Sequence, residues 1–492
     1  MKKTPRFSVR GSIPLPLTFF FILVHVAFLC CANQAFSQYG ETAPGAESKG
    51  APPPLPLTLD EAVNRALQAN RSIASTKYAA EGQYLSVVSA RSEFETKIVP
   101  AVNVGISGGD NTGPPQGYGG GFSIQQKLES GTKLSLGPAV NKAFGVYSTD
   151  VGLSIEQPLF KGFGRESNLD RVRTAIFNMA SADRSLHQLR INTFLDVVTT
   201  YYDALKNGEI VHMYESMARR LRGHAEVAQA KEKVGLATPM DTYRAEIRLK
   251  DAEDALTQAR ESYQDNRDRL KVLLALPLET DMDLVSPLKV EIVEVGLESV
   301  IETALTRRVD MEQAREDIRE AERRVAVARH NILPDISLVV GYDQFGLSDR
   351  FQQSTGLDQN RWSVRLVSST DLFRTAEKSA YQQSLLNLKS IQLNLEGRKD
   401  EIRRQVRRQF TALKEAERRI AIRKEQIRQA EGKLALAEVK FAHSMADNFD
   451  VIEAETELQR SKINLLSSEI DYIVGTYSLR AISGTLIERS AA

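Results

Sequence analysis

From Leu59 onward an apolar residue returns at every seventh position: Leu59, Ala66, Ile73, Ala80, Val87 and Phe94. A period of seven keeps one narrow stripe of a helix facing a partner, as in a coiled coil. Thr58, with Glu61 three residues on, predicts a capping box at its start. The small residues Ala66 and Ala80 predict closely packed helices rather than a thick core. The stripe returns 238 positions later as Leu297, Ala304, Met311, Ile318, Val325 and Ile332. Pro100 and Pro334 are read as the ends of these two helices.

Two much longer helical stretches follow. Residues 159–238 contain no proline, and no proline occurs after Pro334. Good helix formers fill both regions. The 165–234 stretch alone would span roughly 105 Å as one straight helix. Asn207-Gly208 marks a predicted bend in it. The second long helix, about 374–443, carries Val406, Leu413, Ile420, Ile427, Leu434 and Phe441 on its seam. Shorter helices are predicted at 241–276 and 449–483. Their seams, Leu249, Leu256, Tyr263 and Leu270, then Leu458, Leu465, Tyr472 and Leu479, match at a spacing of 209 residues. Two short helices end to end equal one long helix in length, so the economical packing lays them alongside it.

Period-two alternation marks the strands. Val102, Val104 and Ile106 alternate within 99–109, and Ile336, Leu338 and Val340 within 336–342. Further strands are predicted at 122–128, 131–140, 150–159, 290–295 and 362–368. The glycine-rich stretch 111–121, with Gly119-Gly120-Gly121, reads as a surface loop, and so does 346–360. The predicted organisation is then a signal peptide at 1–37, a Pro/Gly-rich lead-in at 38–56, a first repeat at 57–277, a mixed connector at 278–296, a second repeat at 297–486 and a tail at 487–492.

Charge changes this picture little. The chain has 64 basic and 63 acidic residues, a net charge of +1, so no nucleic-acid partner is expected. Arg403-Arg404-Gln405-Val406-Arg407-Arg408 reads as a solvated helix face. Residues 13–32 form one apolar run after Lys2, Lys3, Arg6 and Arg10, the grammar of a secretory signal. Ala35-Phe36-Ser37 places the cut before Gln38, with a cut after Ala32 as the alternative. An uncleaved anchor is the other reading, but no positive cluster follows the run. The two cysteines of the chain, Cys30 and Cys31, lie inside it, so the mature chain has none. Lipid attachment there is a second alternative, with bulky Phe28-Leu29 against it.

Leu57-Thr58-Leu59-Asp60-Glu61-Ala62, the Gln157-Pro158-Leu159-Phe160-Lys161-Gly162 junction, the Val234-Gly235-Leu236 turn followed by Asp241, and the duplication together resemble the TolC-like outer-membrane efflux proteins. The resemblance covers about residues 57–486. It implies a mainly α fold with a smaller β part, built from an internal duplication. A homotrimer would form a twelve-stranded outer-membrane β-barrel, four strands from each chain, continued by a long periplasmic α-helical barrel. It also implies an outer-membrane channel, the exit duct of a tripartite efflux pump or type I secretion system. Outer-membrane lipid, a periplasmic adaptor and an inner-membrane transporter would be its partners, and no cofactor is implied. Two departures stand out: Ser368-Ser369-Thr370-Asp371-Leu372-Phe373 lacks the Gln-Pro of the first junction, and His443-Ser444-Met445-Ala446 lacks a glycine.

No catalytic or metal-ligating constellation emerges, so no enzyme is expected. His212 and His224 are read as facing solvent. Asp450 and Glu453, three apart at the start of the last helix, share a face. They match family acids at the periplasmic constriction, where a trimer would make acid rings; Asp241 and Arg244 hold the equivalent place in the first repeat. The bland reading is that acids at a helix start complement its dipole. The turns carrying Val234, Gly235, Leu236 and Ser444, Met445, Ala446 are the expected adaptor-docking points. A rival from another class is an exported coiled-coil scaffold without a pore.

Overall fold

The computed structural model describes residues 55–106, 116–285, 290, 292, 294–443 and 445–488. The expected signal segment, the lead-in up to residue 54, Ser444 and most of the tail lie outside these residues.

Ten helices and eight strands follow one another among the described residues. β1 (Leu55–Leu57), α1 (Leu59–Ala69) and α2 (Arg71–Arg91) lead into strands β2 (Lys97–Ile106), β3 (Gln116–Lys127), β4 (Lys133–Ala143) and β5 (Val146–Pro158). Next come α3 (Arg165–Asn168), the long α4 (Asp170–Lys233), α5 (Pro239–Leu273) and β6 (Met282–Leu284). The chain then runs through α6 (Leu297–Arg307), α7 (Val309–Asn331), β7 (Ile336–Ser348), α8 (Phe351–Ser354), β8 (Gln359–Ser368), α9 (Thr375–Ala442) and α10 (Asn448–Ile482).

The long helices run 64 and 68 residues. Each lies beside three shorter ones where two were expected: α4 against α1, α2 and α5, and α9 against α6, α7 and α10. Gly208 does not break α4. A Cβ there would press on the Tyr263 ring at 3.2 Å, so the glycine serves the close approach of α5. The expected single helix from Leu59 is instead broken at Asn70, whose backbone turns extended (φ −60°, ψ 128°). Its side-chain oxygen accepts from the Ser72 and Ile73 amides at 2.9 and 3.3 Å, and its amide donates to the Leu273 carbonyl at 3.0 Å. The second copy breaks 238 residues on, at Arg308 (φ −67°, ψ 135°). A seven-residue stripe continues through such a break unmarked.

Two cores meet at the middle of the molecule. One packs Ala62, Val63 and Ala66 of α1 against Val197, Val198 and Tyr201 of α4, Leu270 of α5 and Ile470 of α10. The other packs Ile301 and Met311 against Ile402, Val406, Leu413 and Tyr472. Tyr201 is fully buried and donates its hydroxyl to the Leu57 carbonyl at 2.9 Å; burial pushes its phenol up to about 12. That bond holds β1, which pairs in parallel with β6. The reading of residues 38–56 and 278–296 as lead-in and connector missed this two-stranded link. The predicted strand at 290–295 falls partly outside the described residues, and Val290 and Ile292 lie in irregular backbone.

The other six strands form one antiparallel sheet in the order β2-β3-β4-β5-β7-β8. The resemblance implied four strands per chain; here the first half supplies four and the second half two. Pro100 does not end a helix. α2 stops at Arg91, and Pro100 sits in β2, where an edge strand tolerates its missing amide. Gly119, Gly120 and Gly121 are strand, not loop: side chains at Asn103 and Asn141 occupy the space a Cβ at Gly119 would need. The predicted 346–360 loop is shortened from both ends by β7 and β8.

Register assigns the two faces. Val102 and Val104 share one face with Tyr118, Phe122, Leu136, Leu153, Leu338, Val340, Tyr342, Trp362, Val364 and Leu366. The other face carries Gly119, Gly121, Ser135, Gly137, Gly152 and Gly341, with the Asp343–Arg361 pair at 3.1 Å. Ile336 joins the apolar face, as expected, and the side chain of Ile106 lies outside the described set. No helix among the described residues is long and apolar enough to cross a membrane.

The break at Asn70 makes a direct test. Asn70→Ala removes the cap of α2 and the tie to α5, which should cost about 1–2 kcal/mol. Thermal melting in detergent should show a lower midpoint, with Asn70→Asp, which keeps the accepting oxygen, falling between. An unchanged midpoint for Asn70→Ala would show that packing alone holds the break.

Candidate functional site

The two helical turns at the far end of the long helices are built differently. In the first, Gly235 adopts φ +74°, the left-handed conformation glycine supplies without strain. The Gly235 amide donates to the Glu232 carbonyl and the Leu236 amide to that of Lys231, closing α4. Thr238 and Asp241 then form a capping box, with Asp241 Oδ2 accepting from the Thr238 hydroxyl at 2.8 Å and amide at 3.1 Å, and Pro239 opens α5. These bonds hold the Asp241 carboxyl below its ordinary range. Asp241 thus caps the first turn of its own helix.

In the second turn the Met445 amide donates to the Lys440 carbonyl at 2.8 Å, the equivalent of the Leu236 bond. Asp447 caps α10, accepting from the Phe449 and Asp450 amides at 3.0 and 3.1 Å. Leu236 is 76% exposed and Met445 69%, and Val234 and Met240 are also exposed. Ala446 is half-buried.

Cross-helix contacts hold the turns together. Lys231 Nζ stands 4.5 Å over the Phe441 ring. Arg244 and Arg248 lie 5.6 and 6.0 Å from the centre of the Phe449 ring, beside Asp450. Asp450 and Glu453 are both exposed on α10. Lys433 reaches Glu453 at 3.3 Å and Glu457 at 2.6 Å. The structure thus brings Arg244 to the start of α10, and gives Glu453 a cation that sequence reasoning missed.

His224 is not a solvent-facing residue. Its Nδ1 lies 2.8 Å from Asn448 Oδ1, Asn448 donates to the His224 carbonyl at 3.2 Å, and Nε2 stands 3.7 Å from Glu455. Arg220 approaches the same carboxylate at 3.4 Å. This cluster ties α4 of the first half to α10 of the second. No local signal in the sequence marks it, because its members meet across more than two hundred residues. The facing Glu455 carboxylate raises the His224 pKa against the opposing effect of burial. Burial opposes ionisation of Glu455, yet His224 and Arg220 outweigh it and leave its pKa lowered. His212, by contrast, faces solvent as read. Along α9, Arg403 pairs with Asp400 and Arg404 with Glu401, as a solvated face would.

The family model for outer membrane efflux proteins matches residues 62–276 and 300–485. The chain belongs to this family. It is an outer-membrane channel, a conduit rather than an enzyme, with its helical part in the periplasm. It is similar to the outer membrane efflux protein BepC of Brucella suis, 22% identical over 76% of this chain and 83% of that one. It is also similar to the alkaline protease secretion protein AprF of Pseudomonas aeruginosa, 23% identical over 68% of this chain and 69% of the relative. Among solved structures, the CmeC outer membrane channel of Campylobacter jejuni shares the fold with a TM-score of 0.71 at 14% identity, over 88% of this chain and 87% of that one. The outer-membrane channel OprN gives 0.69 at 14% identity, over 87% and 89%.

The His224 cluster predicts a pH dependence of this efflux protein's tip. A raised histidine pKa stabilises the fold below the ordinary imidazole range and ceases to do so as pH rises through the folded value. A lowered carboxylate pKa stabilises above the ordinary carboxylate range and is lost as pH falls through the folded value. The α4–α10 tie is therefore strongest at mildly acidic pH. Backbone hydrogen exchange at residues 448–455, corrected for intrinsic rate, should rise about threefold to tenfold between about pH 6.5 and about pH 8.5. His224→Gln should flatten that rise. A wild-type profile already flat would remove the cluster from any role in holding the tip.

Proposed function

We propose that three copies of this chain form the exit duct of a tripartite efflux pump or type I secretion system. Exposed apolar side chains support the assembly. Tyr78 and Leu85 of α2 and Leu386 and Leu393 of α9 are mostly uncovered, and their helices need neighbours on that side. In this reading residues 1–37 are removed on export, and the 57–277 and 297–486 repeats each give one long helix and its short partners to the tube. The channel family leaves the poreless scaffold with no observation in its favour.

The observation that carries the gate is the exposed pair Asp450 and Glu453 at the first turns of α10, beside the packed helical turns. Three copies would place six carboxylates around the narrow end. Lys433 orients Glu453 and leaves Asp450 the more forward acid. Arg244 and Asp241 serve the turn rather than the opening: one stacks on Phe449, the other caps α5. Val234, Leu236 and Met445 offer an apolar tip to a periplasmic adaptor, with Gly235 and Ala446 in the same turns; Ser444, the other expected docking residue, lies outside the described residues. The adaptor joins the duct to an inner-membrane transporter.

Planar-bilayer recording tests the gate. Asp450→Ala combined with Glu453→Ala should lower cation selectivity at least about threefold and abolish block by multivalent cations, without loss of trimer. Glu401→Ala with Glu415→Ala, on an ordinary helix face, should change neither. Unchanged selectivity and block in the first variant would make both acids plain helix-start residues.

A further inference from the structure

We propose that the outer-membrane wall of this duct has eighteen strands, six from each of three chains, closed by pairing β8 of one copy with β2 of the next. The proposal rests on the trimeric reading above and deepens it. The six strands are one uninterrupted antiparallel ladder, so β3 and β4 are part of the wall and not a hairpin beside it. Their side chains keep the same two faces as the rest: Phe122 and Leu136 share the face of Leu153 and Val340, and Gly121 and Ser135 that of Ser154 and Gly341.

A second copy fits the open edges. β2 and β8 are the two edges, each 10 residues long, and among the described residues neither has a partner on its outer side. Five antiparallel steps separate them, so β8 runs opposite to β2. A β8 laid beside the β2 of another copy is therefore antiparallel, and the ring closes without a parallel pair. The edges also show where a neighbour is missing. On the shared apolar face Val104 is 80% and Trp362 74% exposed, against 37% for Val340 inside the sheet. Closure gives every backbone group of both edges a partner, which hydrocarbon demands.

The extra strands set the bore. With strands about 4.8 Å apart and tilted about 40°, twelve strands enclose a backbone radius of about 12 Å and eighteen about 18 Å. A wall of the larger size holds an aqueous channel rather than a packed interior. The polar face suits an aqueous bore: beside its glycines and serines it carries the charged Lys127, Lys133, Glu156, Arg361 and Arg365. Passage is then restricted at the helical tip and not at the membrane.

Electron cryomicroscopy of the full-length mature protein in lipid nanodiscs counts the strands directly. Eighteen, with residues 116–143 in the wall, is the expected result. A lipid-embedded trimer with twelve strands overturns the proposal and leaves the duct reading intact; absence of a trimer overturns both. Thiol labelling gives a second measurement, since the chain beyond residue 31 has no cysteine. Ser135→Cys should react with a water-soluble maleimide from the lumen, and Leu136→Cys at least about tenfold more slowly because it faces lipid. Equal rates at the two neighbouring positions would place β4 outside the wall.

Discussion

A backbone amide or carbonyl that reaches the hydrocarbon of a bilayer must find its partner within protein, at a cost of several kcal/mol if it fails. In this chain that constraint falls on two strands. β2 and β8 leave ten-residue ladders open on either side of a sheet whose apolar face is fit for lipid. Among the described residues no further strand covers them. In the proposed trimer copies of the chain do, and each would bring its helices into register with its neighbours. The sheet's need for closure thus sets the architecture below it.

The helices are designed for the same company. Their seams are narrow and rich in small residues: Ala225, Ala228, Ala245 and Ala252 pack the tip where α4 meets α5. Such seams bring backbones close but bury little area per residue, so much of each helix stays uncovered in one chain. The larger cores sit at mid-height, where α1, α4, α5, α6, α9 and α10 converge and β1 pairs with β6. At the tip, polar and cation–π contacts supplement the small apolar seams. Interactions of that kind, between His224 and Glu455 or Lys231 and Phe441, weaken readily with a change of charge or solvent, which suits the opening proposed for this end.

Much of this was legible in the residues. Proline-free runs of good helix formers located the long helices, and seven-residue stripes marked the second of them and the shorter ones, because a periodic seam is a local signal repeated many times. The alternation at Val102 and Val104 and at Leu338 and Val340 located two strands. What failed depends on distant partners. Asn70 breaks its helix because Leu273 accepts its amide, a contact invisible at residue 70. Pro100 and Gly119–Gly121 look like punctuation, yet the ladder of neighbouring strands makes them strand. His224 reads as one more polar residue on a helix until Asn448 and Glu455 are folded against it. Helix and strand positions came from periodicity and composition, and the fold class from the family resemblance; the tip's contacts came only from tertiary structure. The roles proposed for Asp450 and Glu453 rest on their place at the tip.

The central claim is that this chain is incomplete alone and completes itself threefold around a pore. Native mass measurement of the protein released from detergent micelles tests it most directly. The account predicts a species of three times the chain mass, with no folded monomer persisting on dilution. A compact, stable monomer that retained its helical content would contradict it, because the open ladders of β2 and β8 and the bare seams of α2 and α9 would then need no partner.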